Sequence, residues 1–301
     1  MRQKISFIST VYNEEKNIEK FLESIINQSK KPGEIIIVDG GSSDKTVAII
    51  NKVKKKTKIP FKLIIEKGAN IAKGRNIAIS KAKGEIILAS DAGCIVNKDW
   101  IKETLKFFPK ADVVAGNHKA LVKNNFEFFQ GQLTVNKVDR ITRMSSRNIS
   151  FKKKCWKKVK GYPEKCLTGE DTLFNLKLKK AGCKIEINPR KDVAWEMRPT
   201  LGKFFKQFYK YGQGDKIQGN IWKLKKNLIA LLGFWAYVVL LITSPLLSWY
   251  LTIALAIFPV LLAKAKALKI FIKTKRVSSF WHVPILHLTR RIAYFLGATF
   301  G

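Results

Sequence analysis

The feature that most limits the fold is an alternation. Short apolar runs at residues 4–9, 34–39, 62–65 and 85–89 are separated by stretches whose apolar residues recur at helical spacing. Ile18, Phe21, Leu22, Ile25 and Ile26 mark the first helix, with Asn13 as its expected N-cap. Residues 45–56 and 70–82 read as the next two. Strand, helix and strand in this order make βαβ units and an α/β, Rossmann-like, mostly parallel sheet. Such sheets bind ligands at the carboxyl ends of their strands, where Asp39 and Asp91 lie. Further on, residues 98–108 read as helix, 111–117 as strand, 127–143 as helix, 172–181 as a helix stopped by Gly182, and 184–188 as strand.

A second feature is the stretch 228–263, which has no charged residue. A membrane-spanning helix needs about 20 apolar residues. Ser244-Pro245 divides the stretch, so it reads as a hairpin of two spans at about 228–243 and 246–263. Lys223, Lys225 and Lys226 precede it, and Lys264, Lys266, Lys269, Lys273, Lys275 and Arg276 follow. Positive flanks on both sides put both ends, and the catalytic domain with them, in the cytoplasm of a multi-pass protein of the cell membrane. Residues 280–300 are apolar but interrupted by His282, His287, Arg290 and Arg291, and read as a third span or an interfacial helix. Phe204, Phe205, Phe208, Tyr209 and Trp222 alternate with Lys203, Lys206, Lys210 and Lys216 over 201–222. That pattern fits either a helix on an anionic membrane surface or one covering a sheet edge. The expected organisation is therefore a catalytic domain at 1–199, an interfacial segment at 200–226 and a membrane region at 227–301.

The net charge is +35, from 57 Lys and Arg against 22 Asp and Glu. It favours anionic lipid or phosphate-bearing substrates. The lysines are spread evenly and no zinc-finger or RNA-recognition pattern occurs, so nucleic acid is not expected as a partner. Cys94, Cys155, Cys166 and Cys183 form no C-x-x-C pair and read as reduced thiols. The start, Met1-Arg2-Gln3-Lys4, passes into a strand pattern without a signal-peptide signature.

Chemistry concentrates at Gly169-Glu170-Asp171-Thr172, two carboxylates opening a helix. They either cap the helix or hold an ionised base in a cleft. Four other motifs precede them in order: Ser9-Thr10-Val11-Tyr12-Asn13-Glu14-Glu15, Val38-Asp39-Gly40-Gly41-Ser42-Ser43-Asp44-Lys45-Thr46, Gly74-Arg75-Asn76, and Gly84-Glu85-Ile86-Ile87-Leu88-Ala89-Ser90-Asp91. Over roughly the first two thirds of its length, the chain resembles the family 2 glycosyltransferases of the GT-A fold.

The resemblance implies an inverting transfer of a sugar from a nucleotide-diphosphate sugar. A uridine donor is favoured and a guanosine donor is the alternative. The expected acceptor is membrane-associated, a lipid-linked or cell-surface glycan; the alternative readings are a polyprenyl-phosphate glycosyltransferase or a short-chain polysaccharide synthase. Asp171 would be the general base, with Glu170 orienting it or the acceptor. Asp39 would meet the base, or else cap its own turn, with Thr10, Tyr12 and Glu14 in the same donor region. Arg75 would sit near the diphosphate, or else form a surface ion pair. Asp91 stands where the family carries Asp-x-Asp for Mg²⁺ or Mn²⁺, but Asp91-Ala92-Gly93 lacks the second aspartate, leaving Asp91 as the one candidate metal ligand. Trp195 and Arg198 lie near the place of the processive synthases' Gln-x-x-Arg-Trp without matching it. They are candidates for the acceptor or phosphate side. The missing aspartate also admits a catalytically inactive membrane scaffold.

Overall fold

The computed structural model describes residues 4–139, 141–166, 168–219 and 225–301. The chain packs as two units. One holds the residues through Leu121, Val135–Lys165 and Glu170–Glu196; the other holds Val122–Thr134, Cys166–Gly169 and Met197–Gly301. Packing thus assigns two short earlier segments, Val122–Thr134 and Cys166–Gly169, to the C-terminal unit.

The first unit runs β1 (Ile5–Val11), α1 (Ile18–Ile26), β2 (Glu34–Asp39), α2 (Thr46–Lys55), β3 (Phe61–Ile65), α3 (Ile71–Lys81), β4 (Ile86–Ala89), β5 (Cys94–Val96), α4 (Trp100–Leu105) and β6 (Val113–Leu121). After the excursion to the other unit come β7 (Ile149–Lys152), α6 (Lys153–Lys158), α7 (Glu170–Lys180) and β8 (Ile185–Glu196). The sheet order is β3-β2-β1-β4-β7-β6-β8-β5. β1 pairs in parallel with β2 and β4, and β2 with β3, as the continuous apolar runs require of strands covered on both faces. The second half is mixed. β7 runs antiparallel to both β4 and β6, β6 and β8 are parallel, and β5 is antiparallel to β8. β5 and β7 are three and four residues long, too short for hydrophobic spacing to reveal their direction.

These directions gather one edge of the sheet. The carboxyl ends of β1, β2, β4, β6 and β8 point the same way, and the amino ends of β5 and β7 meet them there. The residues leaving β1, β2 and β4, those just before β7, and Cys94 and Trp195 therefore share one rim. Beneath it lies a core of Ile8, Ile36, Val38, Ile87, Val113, Phe151 and Phe174, each almost fully buried.

Two differences from the sequence expectation have local causes. Asn13 does not cap α1; it sits at φ 53° and its carboxamide oxygen accepts from the Ser43 amide, while the helix begins at Ile18. The helix expected over 127–143 is α5 (Asn125–Thr134), followed by a short 3₁₀ turn at Ile141–Arg143. Val138 leaves the helical pattern to enter the first unit's core, its amide donating to Asn117 Oδ1.

The second unit contains α5, α8 (Leu201–Ile217), α9 (Lys225–Thr243), α10 (Trp249–Thr274) and α11 (Ser279–Phe300). Phe129, Leu133, Phe204, Ala267, Ile270, Val283 and Leu286 form its core. α8 and α11 cross closely: a Cβ on Gly212 would overlap the Tyr294 carbonyl, and one on Gly297 would overlap that of Tyr209. α8 thus spends Phe204 on protein packing while Lys203, Lys206 and Lys210 stay exposed. Trp222 and Lys223 lie outside the described residues, as do the side chains of Lys225 and Lys226.

Asn227–Leu246 and Trp249–Thr274 are long and apolar enough to cross a membrane, with mean hydropathies of 2.1 and 1.9. The expected break is present as a 3₁₀ turn at Ser244–Leu246, with proline in its first turn. α10 does not stop at residue 263. It continues to Thr274 and carries Lys264, Lys266, Lys269 and Lys273, because lysine is a good helix former.

Backbone proximity gives a stability test. A Cβ on Gly84 would lie 2.6 Å from the Ser6 amide nitrogen, and the Gly84 amide donates to Ser6 Oγ. Gly84→Ala is expected to destabilise the protein by about 1–3 kcal/mol, visible as a lower midpoint of thermal unfolding.

Candidate active site

Arg75 is central to the rim. It lies in the second turn of α3, whose N-cap Asn70 accepts from the Lys73 amide. The helix can approach β1 because residue 74 is glycine: a Cβ there would meet Thr10 Cγ2 at 2.6 Å. The next side chain then reaches two carboxylates. Arg75 Nη2 donates to Asp91 Oδ1 at 2.8 Å, and Nη1 donates to Glu170 Oε1 at 2.7 Å. The Arg75 side chain is 4% exposed, Glu170 10% and Asp91 34%. This is a buried three-residue ion cluster rather than a surface pair. Asn76 completes the motif, accepting from the Trp156 indole and the Tyr162 amide and donating to the Tyr162 carbonyl.

Burial opposes the Arg75 charge, but Asp91, then Glu170, outweigh it and raise its pKa. Burial raises the Glu170 pKa, with Arg75 opposing and Asp171 adding to the rise. Asp171, half-buried in the first turn of α7, accepts from the Thr172 amide through Oδ1.

Asp39 ends β2 and is fully buried. Its Oδ1 accepts from the Gly41 and Ser42 amides and its Oδ2 from the Ser42 hydroxyl. The structure therefore gives it the turn-capping arrangement, and Gly41 takes φ 95° in that turn. The first two motifs interlock. Asp44 Oδ2 accepts from the Glu15 amide, Glu15 Oε2 accepts from the Lys45 amide, and the Glu14 amide donates to Thr46 Oγ1. Glu14 thus serves the loop through its backbone. Tyr12 is 61% exposed beside Gly40, and Thr10 is half-buried against Gly74.

Trp195 is not an open platform. The Arg147 guanidinium lies over its ring at 3.9 Å, and His118 packs edge-on at 6.1 Å. Burial first, then Arg147, pulls the His118 imidazole down to about 4, leaving it neutral. Burial pushes the Cys94 thiol up to about 12, with Asp91 acting in the same direction and Arg147 against it. Trp195 pairs with Cys94 at the rim, so Arg147 over its ring stands there too, half-buried and held by Ser145 Oγ at 3.0 Å. It was not legible as a site residue, since nothing adjacent to it in sequence marks it. Arg198 belongs to the second unit. Its amide donates to Gln130 Oε1, its carbonyl accepts from Gln130 Nε2, and its Nε donates to Gln207.

Among the described residues, no three His, Cys, Asp or Glu side chains converge to hold a metal ion. Asp91 offers a single, partly exposed carboxylate, with one oxygen given to Arg75. That is compatible with Mg²⁺, which is commonly bound by one or two carboxylates together with substrate phosphates and water.

The model of Glycosyl transferase family 2 matches residues 6–163, and that of Glycosyl transferase family group 2 matches residues 92–268. The chain belongs to glycosyl transferase family 2 and is a glycosyltransferase acting on nucleotide sugars. It is 28% identical over 288 residues to the poly-beta-1,6-N-acetyl-D-glucosamine synthase of Staphylococcus epidermidis, covering 84% of this chain and 69% of that one. Against the same enzyme of Staphylococcus aureus strain COL it is 28% identical over 225 residues, spanning 54% of that protein. Among solved structures, the mannosyltransferase PcManGT from Pyrobaculum calidifontis, in complex with GDP-Man and Mn²⁺, superposes with a TM-score of 0.67 at 17% identity. The match covers 100% of this chain and 87% of that one. S. aureus TarS 1–349 in complex with UDP-GlcNAc gives 0.56 at 18%, covering 98% and 90%. These likenesses establish the GT-A fold.

The buried cluster predicts a specific failure. Arg75→Gln leaves Glu170 without its counter-charge, at a cost of about 3–5 kcal/mol. Glu170 has a folded pKa above its ordinary 4.5, and losing Arg75 raises it further. Its protonated form is then the tolerated one, so the variant's deficit should shrink as pH falls through that raised value and be full above it. Chemical denaturation of wild type and variant at acidic and neutral pH measures this.

Proposed function

We propose that the chain is an inverting glycosyltransferase that moves a sugar from a nucleoside-diphosphate donor to a hydroxyl or phosphate of a membrane-held acceptor. The observation that carries this reading is the buried Asp91–Arg75–Glu170 cluster at the carboxyl rim, with Asp171 beside it. Arg75 fixes the loop after β4 and the first turn of α7 against each other, so Asp171 is held in place by groups that do not themselves react. For a hydroxyl acceptor, Asp171 takes the proton as the oxygen attacks the anomeric carbon. The bond from that carbon to the β-phosphate oxygen breaks on the opposite face, and the nucleoside diphosphate departs. One displacement inverts the anomeric centre.

The donor base is proposed to lie against the interlocked loops beside Tyr12. Among the described residues, Asp39 Oδ2 accepts from the Ser42 hydroxyl, and a shift of that hydroxyl would let it accept a base N–H. Arg147 is the cation proposed to meet the diphosphate, since Arg75 is committed to Asp91 and Glu170. A divalent ion anchored by Asp91 would supply further neutralisation of the leaving group. The two apolar helices support a membrane anchor with both ends on the cytoplasmic side, flanked by Lys264, Lys266, Lys269 and Lys273. Acceptors of lipid-linked or cell-surface type follow from that placement.

The deciding experiment is thermal shift on detergent-purified protein with UDP-N-acetylglucosamine, GDP-mannose and related donors, each with and without Mg²⁺ or Mn²⁺. Stabilisation by at least one donor is expected. Arg147→Gln should weaken it without lowering the unliganded midpoint by more than a few degrees. No shift with any donor, in folded protein, would favour an inactive scaffold. Asp171→Asn is expected to lower transfer by at least about 10³-fold while donor affinity stays within a few-fold. Equal loss of both would remove Asp171 from the role of base.

A further inference from the structure

Two of the four cysteines, far apart in sequence, meet in the first unit. Cys155 lies on α6 and is buried. Cys183 follows the turn that ends α7, where Gly182 takes φ 72° and the Cys183 amide donates to the Leu178 carbonyl. Their sulfur atoms are 2.7 Å apart. The two sulfurs are thus in direct contact, as bonding partners in a disulfide must be. Cys183 is half-exposed and Cys155 is covered. One sulfur can therefore meet a reagent from solvent while the other waits behind it. The remaining thiols differ: Cys94 is buried against the β5–β8 ladder, and Cys166 lies in the second unit.

We propose that Cys155 and Cys183 form a reversible redox pair that closes to a disulfide, tethering α6 to the C-terminal end of the helix whose first turn carries Glu170 and Asp171. The oxidant class is a small-molecule disulfide such as oxidised glutathione. The Cys183 thiolate attacks one of its sulfurs, forming a mixed disulfide and expelling one glutathione thiolate. Cys155 then attacks the Cys183 sulfur, its proton passing to the second glutathione as it leaves. The protein loses two thiol hydrogens, and one glutathione disulfide becomes two glutathiones. The bond would close a long loop between residues 155 and 183. Constraining that loop in the unfolded chain is the source of the expected stabilisation. The reduced expectation drawn from spacing alone describes the starting state of this pair, because spacing does not reveal which cysteines meet.

The test uses the full chain in detergent, incubated with oxidised or reduced glutathione, alkylated and digested without reductant. The expected result is a linked peptide pair containing Cys155 and Cys183, with thiol titration of the denatured protein falling from four to two. The midpoint of thermal unfolding should rise on the order of 5–10 °C and return on reduction. Cys183→Ser should abolish the rise. Cys155→Ala and Cys155→Ser together separate loss of the bond from damage to packing, since either should abolish the redox-dependent shift whatever its own midpoint. Four free thiols after oxidation, a glutathione adduct on Cys183 that never resolves, or linkage through Cys94 or Cys166 would each overturn the proposal. Donor-induced thermal shift is read separately, so failure here leaves the transferase reading unaffected.

Discussion

A single buried guanidinium ties the rim of the first unit together. Arg75 joins the loop after β4 to the first turn of α7, two segments about 80 residues apart in sequence. Desolvating a charge is expensive, and the fold tolerates it only because carboxylates on two sides bond it directly. Of the two, Glu170 is nearly buried while Asp91 stays partly exposed. Both amino groups of the guanidinium are committed, one to Asp91 and one to Glu170.

Close backbone approach is the second constraint. Gly74 lets α3 lie against β1, Gly84 lets the start of β4 lie against Ser6, and Gly212 and Gly297 let α8 and α11 touch. At each position a methyl group would overlap atoms already in place. The motifs that mark the family in sequence thus combine two jobs. Some residues face the rim, as Tyr12 and Asp91 do, while Asn76, Asp44 and Gly74 exist to place them. Asp39 shows how the two merge: its carboxylate holds the turn next to which a donor base would lie.

Much of this was readable in advance where the signal was local. The parallel half of the sheet followed from runs such as Glu34–Asp39, since only a strand covered on both faces is apolar throughout. The break at Ser244-Pro245 followed from backbone chemistry. Less was readable where partners are distant. Nothing around Arg147 in sequence indicates Trp195, and nothing around Cys155 indicates Cys183. Trp195 and Arg198 are close in the chain, yet they fall in different packing units. Asn13 looks like a helix cap and instead laces one loop to another, because its partner Ser43 lies 30 residues away.

The sequence by itself determined the class of fold, the order of the elements from β1 to β4, the positions of the motifs and the two apolar helices. Each of these depends on periodicity, turn chemistry or composition within a short window. Tertiary structure alone decided which charges pair, and so made Arg75 the buried link between Asp91 and Glu170. It also decided which aromatic face is covered and which thiols meet. Those outcomes rest on distance and desolvation between segments brought together by folding, which no local pattern encodes.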